Sequence, residues 1–146
     1  KIGDILRAQG NLAGALAAYQ RGMDIAERLA ASDPSNTEWQ RDLSVSHEKI
    51  GEILQAQGDL AGALAAYQRG IDIAERLAAS DPSNTGWQRD LVVALYRLAA
   101  AAPESARGNL TRALAIATSL AETGRLAPRD AWMIEDLTER LRDLGN

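Results

Sequence analysis

Apolar residues recur at intervals of three and four from Leu12 through Leu16, Tyr19, Met23, Ala26 and Ala30, the spacing that gathers side chains on one helical face. The pattern predicts one long amphipathic helix from Leu12 to about Ser32. Gly10 suits a left-handed helix end before it, Asn11 can cap it through its side chain, and Gly58-Asp59 repeats the junction. Asp33-Pro34 and Asp81-Pro82 stop the helix, because the residue before a proline is pushed away from helical dihedrals. Thr37 with Gln40, and Thr85 with Gln88, have capping-box spacing. Trp39, Leu43 and Ile50 then form the apolar stripe of a second helix.

The pattern is written twice. Ile2–Gly22 returns almost letter for letter from Ile50, and the pairs Gly10/Gly58, Tyr19/Tyr67, Pro34/Pro82 and Trp39/Trp87 set a period of 48 residues. A period in this range marks stacked supersecondary units, here two antiparallel helices each. A third copy stays in register through Trp87, Asp90, Leu91 and Leu98 and then fades. Ala102-Pro103 breaks its helix, and Gly108-Asn109-Leu110 restates Gly10-Asn11-Leu12 two residues late. A further helix from Asn109 to about Glu122 presents Leu110, Leu114, Ala117 and Leu120, and Gly124 can end it. Pro128 opens a last helix, near Arg129–Leu144, with Trp132, Leu137, Leu141 and Leu144 apolar among charged residues, as a terminal cap requires. Lys1-Ile2-Gly3 aligns with Lys49-Ile50-Gly51, in the second half of a helix, so the chain reads as a fragment of a longer array. That truncation is expected to expose Leu12, Leu16 and Tyr19 and to favour self-association through this end.

The tetratricopeptide pattern W-x2-L-G-x2-Y, A-x3-F and P is met by His47-x2-Ile50-Gly51-x2-Leu54, Ala63-x3-Tyr67 and Pro82, and by Ile2-Gly3-x2-Leu6, Ala15-x3-Tyr19 and Pro34. The chain resembles the tetratricopeptide repeat family over about residues 1–125. The resemblance implies an all-α, right-handed α-α superhelix, a TPR-like solenoid of about seven antiparallel helices with a C-terminal capping helix. Its parts are a truncated first repeat at 1–34, a second at 35–82, a degenerate third at 83–125 and the cap at 126–146. The ordinary unit has about 34 residues, and these are about 14 longer, seven in each helix. Seven residues is about two turns, so the buried face stays in phase while each helix gains roughly 10 Å. In this the chain looks like the long-helix repeats of kinesin light chains and their bacterial relatives. Gly3, Gly51, Ala15 and Ala63, with Gly22 and Gly70, stand where the family uses small residues between helices. Tyr19 and Tyr67 would fill the space between hairpins, and Trp39 and Trp87 would pack the added turns.

Composition removes whole classes of function. A formal charge of −4 and a pI near 5.0 argue against nucleic acid, whose phosphates are bound by basic residues. The chain has no cysteine, hence no disulfide framework, thiol nucleophile or thiolate metal site. No apolar run is long enough to span a membrane and no signal segment opens the chain, so no membrane role is expected and the cytoplasm is the default location. Basic residues are nearly all Arg, and Ala is abundant, a usage that suits a GC-rich bacterial source. His47 stands alone, and no Gly-rich phosphate loop, HExxH or serine elbow appears, so no enzyme, cofactor or metal is expected.

Function is therefore expected on a surface. The two copies differ at few positions, and half of these cluster at Ser44/Val92, Ser46/Ala94, His47/Leu95, Glu48/Tyr96 and Lys49/Arg97, with Asp4/Glu52 and Arg7/Gln55 on the same first helix. In the family, first helices line a concave groove that holds a peptide. The resemblance thus makes Asp4, Arg7, Glu48, Glu52, Gln55, Tyr96 and Arg97 the candidate partner-binding residues, although a merely solvated helix face accounts for the same charges. The carboxylate clamp of chaperone-docking members has no counterpart, since Glu48, Lys49, Glu52, Gln55, Tyr96, Arg97 and Ala100 occupy its positions. Asp4, Glu48 and Glu52 favour a basic or amphipathic peptide or protein. The expected role is a protein-interaction scaffold in a signalling or regulatory protein; a structural spacer or self-association module is the alternative.

Overall fold

Helix ends are set by short polar side chains and by glycine. The computed structural model describes residues 10–145, which hold six α-helices: α1 (Leu12–Ser32), α2 (Thr37–Ala56), α3 (Leu60–Ser80), α4 (Thr85–Ala101), α5 (Ala106–Glu122) and α6 (Trp132–Gly145). The seventh expected helix would fall on residues outside this range, as do Gly3, Asp4 and Arg7. Asn11 Oδ1 accepts the Gly14 N–H at 2.8 Å and Asp59 Oδ1 accepts the Gly62 N–H at 2.9 Å, the caps expected at both junctions. Between α2 and α3 the chain reverses at Gly58, whose φ of 86° lets the Asp59 N–H reach back to the Leu54 carbonyl at 2.9 Å.

Two expected boundaries shift. The caps of α2 and α4 are Asn36 and Asn84, not Thr37 and Thr85. Their side chains accept the Trp39 and Trp87 N–H groups, each at 3.0 Å, which makes the threonines the first helical residues. Gln88 does not close a capping box; its Nε2 donates to the Ala78 carbonyl at 3.1 Å. Helix α5 begins at Ala106, three residues before Asn109, so Gly108 lies inside it instead of at a left-handed turn. The short 3-10 turn Pro103–Ser105 reverses the chain by itself, leaving the glycine nothing to turn.

The chain divides into two compact units, Lys1–Leu77 and Ala78–Asn146. In the first, α1 packs against α2, and α2 lies on α3 through glycine. A Cβ built on Gly51 would come within 2.7 Å of the Tyr67 ring, closer than side-chain carbons ever approach. Tyr67 is buried to 3% exposure, with its hydroxyl donating to Gln55 Oε1 at 2.9 Å. One turn further on, Gly70 meets the Ser44 carbonyl oxygen and the His47 side chain, and Ser44 Oγ donates to the Gly70 carbonyl at 2.9 Å. Ala15, Ile50, Ile53, Ala63 and Ala66 complete the buried set around these contacts.

In the second unit α5 packs on both α4 and α6. Leu95, Ala113, Ala117 and Leu137 are fully enclosed. The cap helix buries Met133 and Leu137, whereas Trp132 and Leu144, expected on its apolar face, are 54% and 41% exposed. Just before α6, the 3-10 turn Pro128–Asp130 buries the Asp130 carboxylate, which accepts from Arg89 Nε at 2.7 Å. Arg125 Nη1 donates to the Pro82 carbonyl at 3.0 Å, tying the α5–α6 link to the start of α4.

These contacts set two expectations for chemical denaturation. Tyr67→Ala should lower the unfolding free energy by about 3–5 kcal/mol, the usual loss for a buried aromatic, and Tyr67→Phe by about 1 kcal/mol for its hydrogen bond; equal midpoints for the two variants would contradict this. Arg89→Leu should cost about 2 kcal/mol by leaving the buried Asp130 with only the longer, 3.9 Å contact to Arg129, a figure discounted for the partly exposed arginine, while the Arg89→Leu/Asp130→Leu double variant should recover most of it.

Candidate functional site

Nearly identical helices meet different surroundings in the first unit. Residues Leu12–Ser32 and Leu60–Ser80 differ at one position, Met23 against Ile71. Along α3, Gly70, Ile73, Ala74 and Leu77 are buried, with Ile73 at 6% and Leu77 at 7% exposure. Their counterparts on α1 are open: Ile25 is 53% exposed and Leu29 40%. Gly22, in register with Gly70, has nothing within 4 Å of the place a Cβ would take. Ala18, Gly22, Ile25, Ala26 and Leu29 of α1 face Trp39, Asp42, Val45 and Lys49 of α2 across a concavity of about 810 Å³, with Arg21 and Arg41 also in its lining. Val45 is a further exposed apolar residue of this wall. Periodicity placed these side chains on an apolar face but carried no information on whether that face is occupied.

The groove candidates named from the sequence fall in both units. Asp4 and Arg7 lie outside the described residues. Glu48, Glu52 and Gln55 follow one another along α2, the two glutamates half-buried and Gln55 exposed, with the Gln55 carbonyl oxygen already accepting from Tyr67. In the second unit Arg97 is half-buried on α4. Tyr96 is engaged by the cap helix. Arg140 Nε donates to its hydroxyl at 3.1 Å while the guanidinium lies 4.9 Å from the ring centroid, and the Trp132 ring is 6.2 Å away at 52°. The same arginine donates to Asp136 at 2.7 Å, so Tyr96 helps fasten α6 to α4. Nothing in the spacing of Tyr96 announced a partner 44 residues away.

His47 is 6% exposed, seated against Gly70. Burial, and then the positive charge of Arg69, hold its imidazole below the ordinary value of 6.5, with Glu27 acting weakly the other way. This is a packed neutral histidine. Among the described residues no group of three or more His, Asp or Glu could hold a metal ion, and no helix is long and apolar enough to cross a membrane.

Residues 1–34 and 48–82 match the tetratricopeptide repeat family model. With its paired helices, glycine contacts and buried tyrosine, the chain belongs over these two stretches to the tetratricopeptide repeat family. Repeats of this family generally mediate protein–protein interaction and form a non-enzymatic scaffold. No curated protein matches the chain.

The His47 environment predicts a pH dependence with a definite sign. Between the lowered folded value and 6.5 the unfolded chain binds more protons, so this contribution to stability is full above 6.5 and is lost as pH falls through that window. Replacing His47 by Leu, the residue in register at Leu95, should remove the effect. The stability difference between wild type and His47→Leu, from urea unfolding, should shift in favour of the variant as pH falls from about 7.5 to about 5; a constant difference would contradict it.

Proposed function

We propose that the chain is a protein-interaction scaffold that binds a peptide or partner protein and carries out no catalysis itself. The observation that supports this most directly is the match of residues 1–34 and 48–82 to a family whose repeats mediate protein–protein interaction, and the apolar wall of Ile25, Leu29 and Val45 is one surface a partner can use. An apolar concavity rimmed by charge is the usual form of a protein-docking surface. The acidic stretch of α2 at Glu48 and Glu52, extended by Gln55, is a second contact surface, suited to a basic segment. Asp4, Arg7 and Arg97 are further partner contacts on this reading, while Tyr96 is not, since Arg140 and Trp132 already occupy it.

The competing role is a spacer or a self-association module. It uses the same open face but takes a second copy of the chain as its occupant. Both roles are separated by the variant pairs Ile25→Asp/Leu29→Asp and Glu48→Gln/Glu52→Gln, each in a chain whose circular dichroism melt matches wild type. A scaffold loses captured proteins from a source lysate with either pair and sediments as a monomer throughout. Unchanged capture by both variants would sink the proposal, and a wild-type dimer abolished by the first pair would assign the face to self-association.

A further inference from the structure

Helix α6 holds a large aromatic side chain half in solvent. Trp132 is 54% exposed, although Met133 and Leu137 on the same helix are buried in the second unit. Its ring neighbour is Tyr96, 6.2 Å away at 52°. Acids follow it along one face: Glu139 and Asp143 come two and three turns after Trp132 on the same line of the helix, with Glu135 one turn after it and beside them. All three are exposed, and none has an ion-pair partner among the described residues. Asp136 differs, since Arg140 holds it at 2.7 Å. This face is not the one through which the repeats stack. Helix α6 restates the pairs Asp42-Leu43 and Asp90-Leu91 as Asp136-Leu137. In that register Ser44 and His47, which α2 sets against Gly70 of α3, fall on Thr138 and Leu141, on the opposite side of α6 from Trp132. A helix seated on α6 as α3 sits on α2 leaves Trp132 and its acids open.

We propose that the Trp132 face of α6 docks an arginine-bearing basic segment of a partner protein, one guanidinium stacking on the indole while others pair with Glu135, Glu139 and Asp143. The helix already contains one such contact. Arg140 places its guanidinium 4.9 Å from the centroid of the Tyr96 ring. An indole attracts a cation more strongly than a phenol does, and a planar guanidinium stacks where an ammonium cannot. Charge then selects the occupant. Helix α6 carries Glu135, Asp136, Glu139 and Asp143 against Arg140 and Arg142, so an acidic segment is repelled and a basic one is attracted. A second copy of this chain, with a formal charge of −4, is a poorer occupant for the same reason. Length agrees as well. From Trp132 to Asp143 the face runs about 16 Å, the reach of about five residues of extended chain.

This inference rests on the scaffold reading and gives that scaffold a further surface and a ligand class. The test is a fluorescein-labelled peptide of alternating arginine and alanine, titrated by the intact chain and followed by fluorescence anisotropy. Saturable binding that weakens with added salt is expected. Trp132→Leu, which keeps an apolar side chain but no ring, should weaken it about two- to five-fold, the usual worth of an exposed cation–π contact. Glu135→Gln/Glu139→Gln should weaken it at least about two-fold. Glu104→Gln/Glu122→Gln removes the same charge from exposed sites elsewhere in the second unit and should leave affinity unchanged. A peptide with citrulline in place of arginine should not bind. Each variant is used only where its circular dichroism melt matches wild type. Four results overturn the proposal: no saturation, affinity indifferent to Trp132→Leu, equal losses from the two glutamate pairs, or equal binding of the citrulline peptide. If the arginine peptide fails while lysate capture remains sensitive to Ile25→Asp/Leu29→Asp or Glu48→Gln/Glu52→Gln, the scaffold reading stands and only the α6 surface is lost.

Discussion

Contact of helix backbones through glycine is the constraint on which the first unit depends. At Gly51 the Tyr67 ring occupies the space of a side chain, and at Gly70 the α2 backbone does so. Each helical glycine costs about 1 kcal/mol relative to alanine. The burial of Tyr67, Ile71, Ile73 and Leu77 that accompanies the close approach outweighs it, at about 1.5–3 kcal/mol for each large apolar side chain. Ser44 adds directionality, since its hydroxyl reaches the Gly70 carbonyl only when the helices are this near.

The same chemistry explains why a repeated sequence does not have a repeated surface. α1 carries the glycine, the isoleucine and the leucine of α3, but among the described residues none lies within 4 Å of a Gly22 Cβ, and they line a concavity instead of a core. The second unit solves its own ending differently: Arg89 holds the buried Asp130, and Arg140 lies across Tyr96, so polar side chains attach the cap helix where the repeat pattern has faded.

Local signals made most of the fold legible. Helical periodicity located α1, and Asp-Pro dipeptides, Gly58 and Gly124 marked the reversals, because each acts through the backbone of its own neighbourhood. The one-residue error at Thr37 and Thr85 arose where two capping residues are adjacent and Asn36 and Asn84 prevailed. Gly108 misled because a glycine-asparagine pair resembles a helix junction, and Pro103 had already made the turn. The site was less legible. Divergence between copies pointed to Glu48, Tyr96 and their neighbours, but Tyr96 differs from Glu48 because it meets Arg140, a contact between distant residues that no periodicity encodes. The open face was invisible for the opposite reason: its residues do not differ between copies at all.

Ile25 and Leu29 face solvent while Ile73 and Leu77 do not. Methyl NMR of the isoleucine- and leucine-labelled chain with a soluble gadolinium chelate measures both pairs in one sample. Strong broadening of the Ile25 and Leu29 methyl signals and little change at Ile73 and Leu77 are expected; equal protection of the two pairs would contradict their different burial.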